Sequence, residues 1–154
     1  MNISTPVRNK IKKDALLNDR EVIKRSQIVA LRLGEYLDKL KAIIKSNLSN
    51  PKDDKYQSKL HGLAWVATYV ESLKQMSLWA DRLLKKGSFG KTERIMLILS
   101  FNEYINQIFG GIIMSQGEII RPVDLDHKKL ALDKLNCEDV LYFKDEVDAD
   151  HLRS

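Results

Sequence analysis

Cysteine, proline and glycine are all scarce in this sequence. The single cysteine, Cys137, excludes an internal disulfide and is typical of proteins from a reducing compartment. Three prolines and seven glycines among 154 residues favour long helices over many short strands, because both residue types interrupt helices. The scarcity therefore indicates an all-α protein, and the length favours a single domain.

A long uninterrupted apolar run is also absent. The basic residues 1–17 contain no apolar stretch of signal-peptide length, so we expect no export. The most apolar stretch, 95–114, is interrupted by polar side chains that would be costly in lipid, namely Ser100, Asn102, Glu103, Asn106 and Gln107. We therefore expect a cytoplasmic protein without a membrane span.

Charge is unevenly distributed along the chain, although the net charge is only +5. Residues 1–60 carry 14 Lys and Arg against 7 Asp and Glu, whereas 133–150 carry seven acidic residues against two lysines. A basic surface is one signature of nucleic-acid binding. The first predicted helix is basic, but Tyr36 is its only aromatic residue. We favour a solvated lysine-rich surface and keep nucleic-acid binding as a minor alternative.

The spacing of apolar residues predicts long amphipathic helices. The first begins after Asn18, an N-cap residue with a Glu three positions later, and ends near the turn signal at 49–51. Its length of about 28 residues corresponds to roughly 42 Å. The second begins near Asp53 or Asp54 and ends at Gly87, which follows two lysines in the last turn.

The third helix is predicted from about Lys91 to Phe109 and is apolar on nearly every side. Such a helix is either central or covered by a second chain, and it is too apolar to be covered by only two other long helices. We expect 112–114 to extend it briefly or to form a buried loop, followed by a turn at 115–117. A short fourth helix is predicted from Asp124 or Asp126 through Leu135.

These elements predict a bundle of three long antiparallel helices and one short helix. The predicted organisation is a flexible basic arm at 1–17, a helical bundle domain at 18–135 and an acidic tail at 136–154. Within that tail, Leu141, Tyr142 and Phe143 are a candidate docking point.

The chain carries no motif for nucleotide or metal chemistry. Residues 87–92 include Gly-Lys-Thr, but a helix precedes them and the first glycine of a phosphate-binding loop is replaced by Lys85. His61, His127 and His151 are far apart in sequence and lack the spacing of a metal site. We therefore expect no catalytic centre, no metal and no cofactor in this chain.

The candidate ligand or partner site consists of residues from the second and third helices and the loop after them. We interpret His61 as a half-buried histidine paired with a carboxylate such as Glu71 or Glu103, with a proton donor or ligand contact as the alternative. A paired-carboxylate role for Glu71 and Glu103 in general acid–base chemistry is a second, weaker alternative. The full set is His61, Trp65, Tyr69, Glu71, Glu103, Tyr104, Gln107, Met114, Ser115, Gln116 and Glu118.

Three stretches of the sequence resemble a segment of certain bacterial acyl-CoA dehydrogenase-like proteins. They are HGLAWVATYVESL at 61–73, FNEYINQIFGG at 101–111 and IIMSQGEIIRP at 112–122. In those proteins the segment is a helical extension joined to a flavin-dependent enzyme, and the resemblance covers about residues 20–125. It implies a helical bundle associated with an acyl-CoA-oxidising polypeptide.

The resemblance does not carry an active site over to this chain. The family's FAD-binding domain and catalytic carboxylate lie outside the segment, so FAD would be expected only with that enzyme domain present. We therefore expect a non-catalytic interaction module that forms a homodimer or docks on a larger protein, with 110–122 as the contact loop. A subunit or fragment that helps to bind acyl-CoA or flavin is the alternative.

Overall fold

The computed structural model describes residues 18–47, 54–115, 117–126 and 129–145. Its long helices are α1 (Asp19–Ser46), α2 (Asp54–Lys85) and α3 (Lys91–Gly110). A hairpin of β1 (Ile112–Ser115) and β2 (Glu118–Ile120) follows, and then α4 (Pro122–Leu125), a 3₁₀ helix (Leu132–Leu135) and α5 (Glu138–Asp145). The predicted all-α bundle is confirmed, while the predicted arm at 1–17 and the turn at 49–51 lie outside the described residues.

The ends of the long helices follow from local capping. The Asn18 side chain accepts a hydrogen bond from the Glu21 N–H at 3.0 Å, which satisfies a free donor in the first turn of α1. Gly87 has a φ of +68°, and the Ser88 N–H bonds to the Leu83 carbonyl at 2.9 Å, closing α2. These contacts confirm the predicted start of α1 and end of α2.

Contacts between the helix ends define their directions. The Tyr56 hydroxyl at the start of α2 donates to the Ile44 carbonyl at the end of α1, at 3.4 Å. Arg94 at the start of α3 forms an ion pair of 2.7 Å with Asp19 at the start of α1. Helices α1 and α3 therefore run in the same direction with α2 antiparallel to both, as short connections require.

Helix α5 covers the side of α3 that the other long helices leave free. Phe143 is fully buried, with its ring 4.8 Å from the ring of Phe101 on α3. The Asn102 side chain donates to the last carbonyls of α5, at 2.8 Å to Phe143 and 3.2 Å to Lys144. Helix α5 thus covers part of the apolar surface of α3, while Met96 and Leu99 on the same helix remain 47% and 44% exposed. The packed bundle extends beyond the predicted boundary at 135.

The predicted fourth helix is interrupted. The buried carboxylate of Asp126 accepts a hydrogen bond from the Ala131 N–H at 2.7 Å, and Lys129 has a φ of +54°, which no α-helix contains. The segment is therefore divided into α4 and the 3₁₀ helix, and a single helix from Asp124 or Asp126 through Leu135 is wrong.

Residues 112–114 form a strand rather than a helical extension or an irregular loop. Gly111 ends α3 with a φ of +132°, and the chain reverses at Gly117, whose φ is +86°. Strands β1 and β2 are antiparallel, with Ile112 opposite Ile120 and Ile113 opposite Ile119. Gly111 and Gly117 can adopt these positive φ values because they have no side chain.

Among the described residues, no helix combines the length and apolar character that crossing a bilayer requires. The prediction of no membrane span is confirmed for that part of the chain. In α3, Asn102 and Gln107 contact neighbouring elements, whereas the hydrogen bonds of Ser100 and Glu103 lie within the helix itself.

Candidate functional site

Four aromatic side chains of the predicted site form a continuous row, which we call the aromatic ladder. His61, Trp65 and Tyr69 lie one turn apart on α2, with ring centroids separated by 6.4 Å and then 6.2 Å. Tyr69 stacks on Tyr104 of α3 at 4.4 Å with nearly parallel rings. The ladder therefore joins two helices, and its spacing follows from the four-residue repeat of an α-helix.

A chain of polar groups runs beside the ladder. The Tyr69 hydroxyl donates to Oε1 of Gln107 at 2.6 Å, and the Gln107 amide donates to Oε1 of Glu103. Burial raises the pKa of Tyr69, and the neighbouring Tyr104 and Glu103 raise it further. The phenol thus stays protonated at neutral pH and acts as a hydrogen-bond donor in this network.

His61 has a different partner from the one predicted. Its side chain is exposed, and its Nε2 accepts a hydrogen bond from the Trp65 indole at 3.2 Å. The predicted pairing with a carboxylate such as Glu71 or Glu103 is therefore wrong. Because the indole N–H can only donate, the histidine nitrogen that faces it carries no proton in this arrangement.

Glu71 lies apart from the aromatic ladder. It accepts hydrogen bonds from Gln75 at 2.7 Å and from Lys74 at 3.4 Å on the exposed side of α2. These contacts lower its pKa, and the Gln75 amide contributes most. The Glu103 carboxylate accepts a hydrogen bond from the Gln107 amide. The two carboxylates therefore have separate partners, and the paired-carboxylate arrangement is not formed.

The hairpin holds the remaining described residues of the predicted site. The Glu118 carboxylate accepts from Ser58 on α2 and from Ser115 on β1, each at 3.4 Å. Met114 is half-buried on β1, and Gln116 lies outside the described residues. These residues therefore surround the turn end of the hairpin, next to α2.

Gly62 determines how closely the hairpin approaches α2. A Cβ atom at this position would lie 2.6 Å from Cγ1 of Ile120, which is closer than any ordinary contact. Sequence reasoning missed this contact, although a glycine inside a long helix was a signal for close approach. The contact places the hairpin beside the start of the aromatic ladder, because Gly62 follows His61 directly.

The outer face of the hairpin was also missed as a separate feature. Ile113 is 65% exposed and Ile119 is 43% exposed, whereas their neighbours Ile112 and Ile120 are buried. Alternation along each strand puts one isoleucine pair toward the helices and the opposite pair toward solvent. We call the pair Ile113 and Ile119 the outer hairpin face.

Metal-binding clusters are absent from the part of the chain that the structure describes. No group of three or more His, Cys, Asp or Glu side chains comes together there. His127 and His151 lie outside the described residues. In the described part of the site, Tyr69, Gln107 and Glu103 are bonded to one another, whereas Glu71 and Glu118 have separate partners. The space beside Glu71 is a shallow groove along α2.

Comparison with known proteins relates part of the chain to a dehydrogenase. No family model matches the chain. It is 54% identical over 65 residues to (2S)-methylsuccinyl-CoA dehydrogenase from Cereibacter sphaeroides. The match covers 42% of this chain but only 12% of that relative. The expected relation to acyl-CoA dehydrogenase-like proteins is therefore confirmed for a segment of the chain.

Proposed function

We propose that this chain is a non-catalytic helical module that docks on an acyl-CoA dehydrogenase-type protein. In this proposal it corresponds to a helical extension of such an enzyme and contributes assembly rather than chemistry. The observation that carries the proposal is the 54% identity to a segment that makes up only 12% of a much longer dehydrogenase.

The geometry of the candidate site supports a structural role for its residues. The hydrogen bonds among Tyr69, Gln107 and Glu103 join α2 to α3 instead of directing an acid and a base toward a substrate. The elevated pKa of Tyr69 also favours a neutral phenol over a proton-abstracting phenolate. These features fit a rigid scaffold that presents a surface to a partner.

Affinity purification of the tagged full-length chain from the cells that naturally produce it tests the proposal. We expect a flavoprotein of the acyl-CoA dehydrogenase class to co-purify in fixed stoichiometry, identified by mass spectrometry. A chain that elutes alone and scatters light as a monomer would contradict the proposal. A homodimer without a dehydrogenase would favour self-association instead.

The second candidate is a subunit that helps to bind acyl-CoA or flavin. This candidate is supported by the relative, which is a dehydrogenase of a CoA thioester. If the candidate is correct, the purified chain is yellow or its melting temperature rises when an acyl-CoA is added. A colourless protein whose melting temperature is unchanged by acyl-CoA would exclude it and leave the docking proposal standing.

A further inference from the structure

The outer hairpin face is an apolar surface held in a fixed position. Ile113 and Ile119 are paired directly across the two strands, so their side chains lie side by side on one face. Val123, shortly after β2, is another exposed aliphatic residue, at 42%. All three side chains are uncharged, although 31% of the residues in the chain are charged.

The opposite face of the hairpin anchors it to the helices. Ile112 and Ile120 are buried, and Ile120 lies against Gly62 with no room for a larger side chain. The bond from Ser58 to Glu118 adds a polar contact to α2. The outer face is therefore already positioned before any partner arrives, which reduces the entropy lost on binding.

The size of this surface argues against a second copy of the chain as its occupant. A stable interface buries about 800 Å² on each partner, whereas even an aromatic side chain buries only about 150–250 Å². A symmetric contact would bring the same few aliphatic side chains from each copy and would fall far short. A groove in a larger protein can enclose the hairpin and bury much more of its surroundings.

We propose that the outer hairpin face, Ile113 and Ile119, inserts into an apolar groove of an acyl-CoA dehydrogenase-type protein. This inference rests on the proposed function and adds the surface through which it operates. The comparison favours this occupant, since the matched segment makes up only 12% of the dehydrogenase chain of the relative.

Matched aspartate substitutions test the surface in the full-length chain, purified from the cells that naturally produce it. We expect Ile113→Asp to reduce the co-purifying dehydrogenase by at least about tenfold, as at the centre of an interface. Leu31→Asp is the control, because Leu31 on α1 has the same 65% exposure and lies far along the chain from the hairpin. It should leave the dehydrogenase bound.

The outcomes separate the surface from the function. If wild-type chain and both variants retain the dehydrogenase, the outer hairpin face is the wrong surface and the docking function stands. If the wild-type chain retains none, the proposed function fails as well. If Ile113→Asp instead converts a dimer into a monomer in light scattering, the occupant is a second copy and the inference is overturned.

A photo-crosslinking amino acid keeps the test decisive if Ile113→Asp does not fold. With p-benzoyl-phenylalanine in place of Ile113, irradiation should link the chain to a dehydrogenase-type flavoprotein identified by mass spectrometry. The same group in place of Leu31 should not. Crosslinks from both positions, or from position 113 to any other protein, would contradict the inference.

Discussion

Tyr69 connects α2 and α3 through both its ring and its hydroxyl. The ring stacks on Tyr104 at 4.4 Å, and the hydroxyl donates to Gln107 at 2.6 Å. The ring contact depends on shape and the hydroxyl contact on an acceptor, so substitutions can separate them. At this scale the candidate site behaves as part of the helix interface.

Tyr69→Phe should lower the free energy of unfolding by about 1 kcal/mol, because it removes one hydrogen bond and leaves the Gln107 acceptor without its donor. Urea denaturation monitored by circular dichroism measures the change. Tyr104→Phe is the matched control, since it keeps the stacked ring. Equal losses from the two variants would mean that the Tyr69 hydroxyl contributes nothing specific.

Two buried tyrosines should make the fold sensitive to alkaline pH. Burial is the main cause that raises the pKa of both Tyr36 and Tyr69, and the Asp126 carboxylate raises that of Tyr36 further. A raised folded-state pKa stabilises the protein fully below the unfolded value of about 10. That stability is lost as the pH rises from there through the folded-state pKa.

Urea denaturation at a series of pH values from about 8 upward tests this sensitivity. Lysines titrate in the same range, so the informative quantity is the difference between wild-type protein and Tyr36→Phe. The variant should lose less stability than the wild type between neutral pH and the alkaline range. Parallel curves for the two proteins would contradict the assignment of this loss to Tyr36.

The hairpin is the element whose position depends on one missing side chain. Gly62 lets Ile120 lie against the backbone of α2, and a Cβ there would be 2.6 Å from Cγ1 and 3.2 Å from Cβ of Ile120. Rotation about the Cα–Cβ bond of Ile120 moves Cγ1 but not Cβ, which is fixed by the β2 backbone. The 3.2 Å contact with Cβ is therefore relieved only by a shift of the strand.

Gly62→Ala should destabilise the protein by about 1–3 kcal/mol, since the steric cost exceeds the gain of up to about 1 kcal/mol in helix propensity. Gly34→Ala on α1 is the control, because its Cβ would meet nothing within 4 Å. That variant should be stabilised by up to about 1 kcal/mol. A stabilising effect at both positions in thermal melts would exclude tight packing at Gly62.

At the scale of the whole molecule, α5 closes the bundle between α1 and α3. Asp139 forms an ion pair of 3.6 Å with Arg25 on α1, and the Arg25 guanidinium lies 5.2 Å from the ring centre of Tyr142. Phe143 packs on α3 from the other side. A short helix from an acidic segment therefore completes a core that three long helices leave open.

Phe143→Ala should lower the free energy of unfolding by about 3–5 kcal/mol and reduce the midpoint of a single cooperative transition. Phe109→Ala is the control, since Phe109 is only half-buried and should cost less. The measurement is urea denaturation followed by far-ultraviolet circular dichroism. An unchanged midpoint for Phe143→Ala would mean that α5 is not part of the cooperative core.

The long helices and their ends were predictable from the sequence. The signals for these helices are local: the helical spacing of apolar residues, the cap at Asn18 and the C-terminal glycine, Gly87. Each affects only residues nearby in the sequence, so it can be interpreted without knowing any distant contact. The same local signals predicted the break after α3. Local chemistry therefore determined the bundle class and most helix bounds.

Only the tertiary structure decided which distant groups meet. The row from His61 to Tyr69 follows from helical spacing, but its continuation to Tyr104 depends on how α2 and α3 are set against each other. The partner of His61, the division of the fourth helix at Asp126 and the burial of Phe143 depend likewise on packing. Such contacts are set by long-range geometry, because apolar periodicity specifies which face of a helix is buried and leaves open what covers it.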